Sequence, residues 1–290
     1  MPNAVEPPSE SPNRLEAAYT LLADTDGATW RPIAGGTDLM VQVTGEIGEP
    51  PQRMLDIWAL DELRGVSVET DALVIGALTT YTEIRGSPVV AEFLPALVEA
   101  AATIGAAQIQ NRATIGGNVM NASPAGDTLL VLLACGAEMV LGSASGERTV
   151  VADEFWTDYR TTARRPDELL LRIRIPLAPD RQVRFRKIGT RRAQAISKVV
   201  MAIAWIASGD AQPWTDVRVA LGSVAATTIR ARATEAVLEG APPTREAADA
   251  AAEALTTELR PIDDVRSTAD YRRAVAGRVL HRLLRDAGGW

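Results

Sequence analysis

The chain contains 290 residues, of which 47% are hydrophobic and 23% charged. Most of the chain is therefore expected to fold around a core of small aliphatic side chains rather than stay disordered. This length suggests about two domains of ~150 residues each. Thirty basic residues against 37 acidic ones leave a net charge of −7, which argues against a protein that neutralises many phosphates of a nucleic acid.

Residues 1–13 contain four prolines and no apolar run, which predicts a disordered leader and no secretory signal. From residue 14 onward, the spacing of the apolar residues predicts alternating helices and strands. They are a helix at 14–23, strands at 31–34, 54–57 and 72–77, a helix at 87–102, a helix from 123 through 133, a hairpin of 137–141 and 147–151, and a strand at 169–175 that Pro176 ends. The longest apolar run, Leu129–Cys135, is far shorter than the ~20 residues that span a bilayer, so we expect no membrane span and a cytoplasmic protein.

Beyond Pro176 the pattern changes to long strands joined by short polar turns, which is typical of an antiparallel meander. Three strands are predicted, at 183–188, 196–206 and 217–224. Three helices with one apolar face follow, at about 228–239, 244–259 and 267–287. We therefore place a domain boundary near Pro176–Pro179, with a strand-then-helix domain after it.

One cysteine, Cys135, and one histidine, His281, limit the chemistry that this chain can perform. A disulfide framework and an iron–sulfur cluster held by this chain are excluded, because each needs more than one cysteine. His281 falls in an amphipathic stretch near the C-terminus, where a half-buried helix residue is more frequent than a catalytic one. The sequence therefore predicts neither a catalytic side chain nor a metal site.

Two glycine pairs stand at the ends of predicted elements, in Ala34–Leu39 (AGGTDL) and Thr114–Asn118 (TIGGN). Paired glycines let backbone amides approach a phosphate without obstruction by Cβ, and two such loops could hold one pyrophosphate. Neither loop has the spacing of a Rossmann fingerprint or a P-loop. Taken singly, each can also be a plain tight turn.

Lys187 and Lys198 are the only lysines, and both lie in a basic segment. Between Arg181 and Lys198 there are seven basic residues and no acidic one, which indicates either a solvated strand pair or a local anion site. Asp127 stands at the start of a predicted helix, where the helix dipole favours a carboxylate without any function. Alternatively, Asp127 accepts hydrogen bonds from ribose hydroxyls.

Four motifs together resemble the FAD-binding middle subunit of the molybdenum hydroxylases, the xanthine dehydrogenase and carbon monoxide dehydrogenase family. The resemblance covers nearly the whole chain from about Arg14. The motifs, in chain order, are Ala34–Leu39 (AGGTDL), Ile104–Asn118 (IGAAQIQNRATIGGN), Ser123–Asp127 (SPAGD) and Phe185–Val199 (FRKIGTRRAQAISKV). Each motif alone is weak, and their order and spacing make the combination specific.

The resemblance implies an α+β fold with two domains. The first is an FAD-binding domain of the vanillyl-alcohol oxidase/p-cresol methylhydroxylase type over 14–178, with subdomains of about 14–60 and 61–178. The second, over 179–290, is a C-terminal three-stranded antiparallel sheet with a helical cap. FAD would be bound non-covalently. Related oxidases attach it mostly through a histidine of the N-terminal half or a cysteine, and this chain has only Cys135 and the C-terminal His281.

The resemblance also implies the residues that hold FAD. The two glycine loops would bind the pyrophosphate and ribitol, Ile104 and Leu170 would line the flavin, Asp127 would lie towards the ribose and adenine, and Lys187 near the isoalloxazine. The set is Pro32, Ile33, Ala34, Gly35, Gly36, Thr37, Asp38, Leu39, Ile104, Thr114, Ile115, Gly116, Gly117, Asn118, Asp127, Leu170 and Lys187. The sequence departs from the family at Gln110, where many members have arginine, and at Ala195–Ile196, where some have an aromatic residue that covers the flavin.

In this family, a large subunit holds the molybdenum cofactor and hydroxylates the substrate. Two [2Fe-2S] clusters on a small subunit pass the electrons to FAD. The chain would then deliver electrons to NAD or another acceptor, within a dimer of heterotrimers. Two other functions remain open. One is a stand-alone flavin oxidoreductase of the same fold, which would need its own acid or base, and the other is a non-catalytic assembly protein without bound flavin.

Overall fold

The structure, a computed structural model, describes residues 7–24, 28–44, 49–191, 194–207, 209 and 212–290. The strands are β1 (Ser9–Glu10), β2 (Trp30–Ile33), β3 (Arg53–Asp56), β4 (Val66–Val68), β5 (Ala72–Gly76), β6 (Glu138–Ser143), β7 (Gly146–Val151), β8 (Trp156–Asp158), β9 (Thr161–Thr162), β10 (Leu169–Pro176), β11 (Arg181–Ile188), β12 (Val199–Ile206), β13 (Thr215–Gly222) and β14 (Ile229–Arg230). The α-helices are α1 (Leu15–Ala23), α2 (Leu39–Thr44), α3 (Tyr81–Gly86), α4 (Pro88–Phe93), α5 (Pro95–Ala102), α6 (Ala107–Gln110), α7 (Ile115–Asn121), α8 (Leu129–Ala134), α9 (Ala152–Phe155), α10 (Arg232–Leu238), α11 (Arg245–Glu258) and α12 (Ala269–Gly288).

A small parallel sheet with the order β1-β3-β2 opens the first domain. The edge strand of this sheet is β1, in which Ser9 and Glu10 pair with Met54 and Leu55 of β3. The prediction of a disordered leader is therefore wrong for Ser9–Glu10. The Met54 amide donates to the Pro8 carbonyl at 2.8 Å, so β3 supplies the partners that this short, polar segment lacks by itself. Residues 1–6 of the predicted leader lie outside the described residues.

The larger sheet of the first domain is antiparallel, with the order β4-β5-β10-β6-β7. Helices α3, α4, α5, α7 and α8 contribute to the hydrophobic core beside it. All six residues of α8 are buried, because this helix packs on β12 and β13 of the C-terminal sheet as well as on the first domain. The two domains therefore share a core, and the cleft described below lies between them.

Two predicted helices of the first domain are shorter than the sequence pattern indicates. The helix predicted at 87–102 is divided into α4 and α5, because Pro95 restricts the backbone of Leu94 and begins a new helix. The helix predicted from Ser123 begins only at Leu129. The segment before it turns, with the Gly126 amide bonded to the Ser123 carbonyl at 2.9 Å.

The C-terminal sheet has four antiparallel strands in the order β11-β12-β13-β14, whereas the sequence predicts three. The added strand, Ile229–Arg230, pairs with the free edge of β13 and replaces the predicted start of a helix at 228. Two residues are too few to give a periodic pattern, so this strand depends on its neighbour. One sheet face contacts α8, and α10, α11 and α12 cover the other, which explains why β12 is apolar without alternation.

Glu168 ties β7 to the start of β10 through an ion pair that is largely buried. Its carboxylate accepts hydrogen bonds from Arg148 Nε at 2.5 Å, from Arg148 Nη2 at 2.8 Å and from the Arg165 amide at 2.7 Å. Burial acts to raise the pKa of Glu168, but these donors outweigh it and hold that pKa below its ordinary value. The folded chain therefore binds a proton at this carboxyl more weakly than the unfolded chain does.

We expect the Glu168→Gln variant to be less stable than the wild type at pH 7, and the difference to shrink in acid. A carboxyl with a depressed pKa stabilises the fold above the ordinary glutamate pKa of about 4.3, and this contribution is lost as the pH falls through the lower pKa of the folded chain. Urea unfolding of both proteins at a series of pH values from 7 downwards measures it. A difference that does not change with pH would contradict the assignment.

No helix within the described ranges is both long and apolar enough to cross a membrane.

Candidate functional site

A cleft of about 1460 Å³ lies between the glycine loops of the first domain and the C-terminal sheet. Its volume exceeds the roughly 300–1,000 Å³ of pockets for drug-sized ligands. Every residue that the sequence assigned to the site lines this cleft except Ile115. Ile115 is fully buried in the hydrophobic core, and we remove its side chain from the site.

The loop between β2 and α2, residues 34–38, offers unused backbone donors to the cleft. Within the part of the chain that the structure describes, the amides of Gly35, Gly36, Thr37 and Asp38 donate to no protein acceptor. Gly36 has a φ of +75°, which L side chains rarely adopt. A row of unused amides on a glycine turn is a concavity that suits phosphate oxygens.

Gly35 brings the first loop against the chain segment that leads into the second glycine loop. A Cβ atom at Gly35 would stand 1.8 Å from the Arg112 carbonyl oxygen. Since that neighbour is backbone, only glycine allows this approach. The two loops are therefore adjacent, as expected for loops that face one ligand.

The second loop differs from the first, because its amides are already bonded within the protein. Ile115 donates to the Thr79 carbonyl at 3.0 Å, Gly116 to the Ala77 carbonyl at 2.8 Å, and Gly117 to Thr114 Oγ1 at 3.0 Å. A Cβ at Gly116 would lie 2.6 Å from the Ala77 oxygen. These glycines allow neighbouring backbone segments to pack closely. The loop therefore forms part of the cleft surface but has no row of unused amide donors.

Asp127 and Lys187 form an ion pair inside the cleft, with side chains that are 6% and 8% exposed. Lys187 Nζ lies 2.5 Å from Asp127 Oδ2 and 3.3 Å from the Thr103 carbonyl oxygen. Asp127 also accepts hydrogen bonds from the hydroxyls of Thr103 and Ser197. Burial raises the pKa of the Asp127 carboxyl, against the opposing effects of the ammonium and the hydroxyl donors.

This contact corrects the separate roles that the resemblance implied for the two side chains. Asp127 was expected towards the ribose and adenine, and Lys187 near the isoalloxazine. Atoms 2.5 Å apart cannot serve the two ends of an extended dinucleotide. The two side chains therefore lie at the same position in the cleft.

A polar network near the first loop was not found from the sequence. Asn121 Nδ2 donates to Asp38 Oδ1 at 3.0 Å, and Arg160 Nη1 donates to Asn121 Oδ1 at 2.6 Å. All three residues line the cleft. The spacing of Asn118 and Asn121 on one helix could have indicated a shared face, whereas Arg160, in the turn between β8 and β9, gave no signal.

The two departures from the family have different structural roles. Gln110 is buried, accepts a hydrogen bond from Arg85 and donates to the Ile104 carbonyl at 2.8 Å, so it supports the segment that carries Ile104. Ile196 lines the cleft with 54% of its surface exposed. It precedes β12, whose predicted start at 196 is in fact Val199.

Neither Cys135 nor His281 lines the cleft. Cys135 is buried at the end of α8, where burial raises the pKa of its thiol to about 11. His281 lies on α12, where Nε2 is 3.3 Å from Asp249 Oδ1. Within the described ranges, no group of histidine, cysteine and acidic side chains could hold a metal ion.

Comparison with known proteins places this geometry in a family. Residues 6–178 match the family model of the FAD binding domain in molybdopterin dehydrogenase, and residues 184–287 match the CO dehydrogenase flavoprotein C-terminal domain. The chain belongs to the FAD-binding subunits of the molybdenum hydroxylases. The resemblance noted in the sequence is thereby confirmed, with a two-domain FAD-binding fold that mixes helices and sheets.

The similar proteins include subunits of dehydrogenases. The carbon monoxide dehydrogenase medium chain of Hydrogenophaga pseudoflava is 33% identical, with 96% of this chain and 95% of that protein covered. The glyceraldehyde dehydrogenase medium chain of Sulfolobus acidocaldarius is 32% identical, with 93% and 95% covered. The solved structure of carbon monoxide dehydrogenase from H. pseudoflava that lacks the Mo-pyranopterin moiety matches with a TM-score of 0.91 at 33% identity, covering 97% of this chain and 96% of that chain.

The chain is thus an oxidoreductase subunit with FAD as its cofactor. The residues of the cleft fit this cofactor on structural grounds. The amides of the first loop are free for a pyrophosphate, and a Cβ at Gly35 or Gly116 would fill space that the backbone needs. The prediction of an oxidoreductase is confirmed, and a non-catalytic assembly protein is not supported.

Proposed function

We propose that this chain holds FAD non-covalently in the cleft, receives electrons from [2Fe-2S] clusters of a small partner subunit and delivers them to NAD or another acceptor. Substrate hydroxylation takes place at a molybdenum cofactor on a large partner subunit. The observation that carries the proposal is the row of unused amides at Gly35–Asp38, beside the Asn121–Arg160 network. Such donors match the charge and the oxygens of a pyrophosphate.

Each part of the cleft has a proposed task. Residues 32–39 bind the pyrophosphate, Asn118 and the surface of the second glycine loop orient the ribitol, and Ile104 and Leu170 pack on the flavin. The ion pair of Asp127 and Lys187 supplies polar groups at the far side of these apolar residues. Bound FAD supplies reversible electron storage, and the protein positions it and controls access.

The proposal that the iron–sulfur clusters lie on partner subunits is supported by the small number of cysteine and histidine residues in this chain. With one cysteine and one histidine in the whole sequence, cysteine-bound clusters belong to other chains. Relatives named for carbon monoxide and for glyceraldehyde are 33% and 32% identical to this chain, so similarity in this subunit does not follow the substrate. The complex is proposed to be a cytoplasmic dimer of heterotrimers.

The fold of the first domain is assigned to the vanillyl-alcohol oxidase/p-cresol methylhydroxylase type. The small parallel sheet followed by a mixed helical and antiparallel unit supports this assignment, because it gives the two subdomains that the sequence predicts.

The first test is an absorbance spectrum of the purified full chain, with FAD quantified after acid denaturation. We expect nearly one releasable FAD per chain, since the cleft and its free amides exist without a partner. A colourless chain that fails to bind added FAD, with and without its partner subunits, would contradict the proposal. Turnover of a substrate by the isolated chain would instead favour a stand-alone oxidoreductase.

A further inference from the structure

Three side chains from different helices of the first domain are hydrogen-bonded in a row behind the second glycine loop. Asn118, on α7, lines the cleft, and its Oδ1 accepts a hydrogen bond from Thr128 Oγ1 at 2.9 Å. Tyr81, the first residue of α3, places its hydroxyl 3.0 Å from the same Thr128 oxygen. The row therefore begins in the core at Tyr81 and ends at the cleft surface.

The hydroxyl of Thr128 is not used by the helix that it precedes. Thr128 stands directly before α8, where a threonine side chain commonly accepts a hydrogen bond from an amide of the first turn. That hydrogen bond is absent here, and the hydroxyl contacts Asn118 and Tyr81 instead. Thr128 and Tyr81 are both fully buried, so solvent reaches neither of them.

The direction of the hydrogen bonds follows from the single hydrogen atom of each hydroxyl. A threonine hydroxyl donates once and can accept from another donor. If Thr128 donates to Asn118 Oδ1, then the Tyr81 hydroxyl donates to Thr128, and each of these buried polar groups has a partner. Burial raises the pKa of the Tyr81 phenol well above its ordinary value, so this donor keeps its proton at neutral pH.

The opposite direction would leave one buried donor without a partner. A reversed Asn118 amide would donate from Nδ2 to Thr128, and Thr128 would then donate to the Tyr81 oxygen. The Tyr81 hydrogen would have no acceptor, because Thr128 is the one hydrogen-bond partner of that hydroxyl within the described ranges. An unpaired buried donor is costly, so the row fixes the Asn118 amide with Nδ2 turned away from Thr128.

The Asn118 NH2 group is thereby available to a ligand. Asn118 is half-buried at the cleft, and in the part of the chain that the structure describes its Nδ2 donates to no protein acceptor. The backbone amides of residues 115–118 are already bonded within the protein. The Asn118 side chain is therefore the donor that this loop can offer.

We propose that Thr128 and Tyr81 are positioning residues, which hold the NH2 group of Asn118 towards an acceptor oxygen of the FAD ribitol. Neither residue needs to touch the cofactor, since both act through the Asn118 amide. A donor that is already oriented before binding lowers the entropy lost when the ligand binds. The inference rests on the proposed function, because it needs FAD in the cleft.

The test compares threonine variants of the full chain, freed of FAD, by titration with FAD. Thr128→Val keeps the shape of the side chain but removes the hydroxyl, so the oriented Asn118 amide has an oxygen without a donor. We expect FAD to bind at least about fivefold more weakly, the lower end of the cost of an unpaired buried acceptor. The matched control is Thr128→Ser, which keeps the hydroxyl and should bind FAD within about twofold of the wild type.

Tyr81→Phe tests what fixes the direction of the row. Without the phenol, the Thr128 hydroxyl can either donate to Asn118 Oδ1 or accept from Nδ2, so the amide adopts both directions. If about half of the molecules keep the competent direction, FAD should bind about twofold more weakly. The same titration measures this smaller loss.

The double variant Tyr81→Phe/Thr128→Val separates positioning from stability. Thr128→Val alone also leaves the Tyr81 hydroxyl unpaired, which lowers stability for a reason unrelated to FAD. Removing both hydroxyls should return the urea midpoint towards the wild-type value. FAD should still bind at least about fivefold more weakly, because Asn118 still lacks its donor.

Three results would overturn the inference. They are wild-type FAD affinity in Thr128→Val, recovery of FAD affinity together with stability in the double variant, and a Thr128→Ser protein that binds FAD as weakly as Thr128→Val. A wild-type chain that takes up no FAD, alone or with its partner subunits, is a distinct result, because it contradicts the proposed function itself.

Discussion

Replacing Gly35 with alanine is expected to weaken FAD binding at least about tenfold, which corresponds to a loss of roughly 1.4 kcal/mol. The added Cβ would stand 1.8 Å from the Arg112 carbonyl oxygen, so either the loop or the neighbouring backbone must move. A displaced loop takes the free amides of Gly35–Asp38 away from the proposed position of the pyrophosphate. The measurement is titration of FAD-free protein with FAD, followed by flavin fluorescence.

The chain offers a matched control for this substitution. A Cβ at Gly86, at the end of α3, would meet no atom within 4 Å. Gly86→Ala should therefore retain FAD and change the free energy of unfolding by no more than about 0.5 kcal/mol. Circular dichroism and urea unfolding of both variants separate loss of the site from loss of the fold. A folded Gly35→Ala protein with wild-type FAD affinity would refute the role of the first loop.

Removing one member of the ion pair, in Asp127→Ala, is expected to destabilise the chain by about 3–5 kcal/mol. The Lys187 ammonium, 8% exposed, would keep only the Thr103 carbonyl as an acceptor. A buried charge without its partner is more costly than no charge at all. Urea unfolding of FAD-free protein measures the loss.

The double variant Asp127→Leu/Lys187→Met tests whether the unpaired Lys187 charge causes this loss of stability. Apolar residues of similar volume leave no unpaired charge, so most of the lost stability should return. FAD binding should stay weaker than in the wild type, because the polar groups that we propose to face the cofactor are gone. If the double variant is as unstable as Asp127→Ala, the buried charge is not the cause; if it binds FAD like the wild type, the pair serves the fold alone.

The sequence predicts elements well where the pattern is local. The hairpin of β6 and β7 and the strands β11 to β13 follow from apolar runs, alternation or turn residues within short windows. The strands Ser9–Glu10 and Ile229–Arg230 were missed, because each has two residues, too few for a periodic pattern, and exists only through pairing with a neighbouring strand. The same reason applies to Ile196, whose place in the cleft depends on Ser197 turning towards Asp127 rather than on strand propensity.

The candidate cofactor residues could be named from the sequence, since two glycine pairs, an aspartate at a predicted helix start and the only two lysines are chemical features that do not depend on the fold. Their hydrogen-bond partners and their neighbours in space came from the folded chain. It distinguished the loop with free amides from the loop with bonded ones, and it joined Asp127 to Lys187, which lie 60 residues apart. Hydrogen-bond partners at such separations are set by the packing of α8 between the two domains, and no local pattern records them.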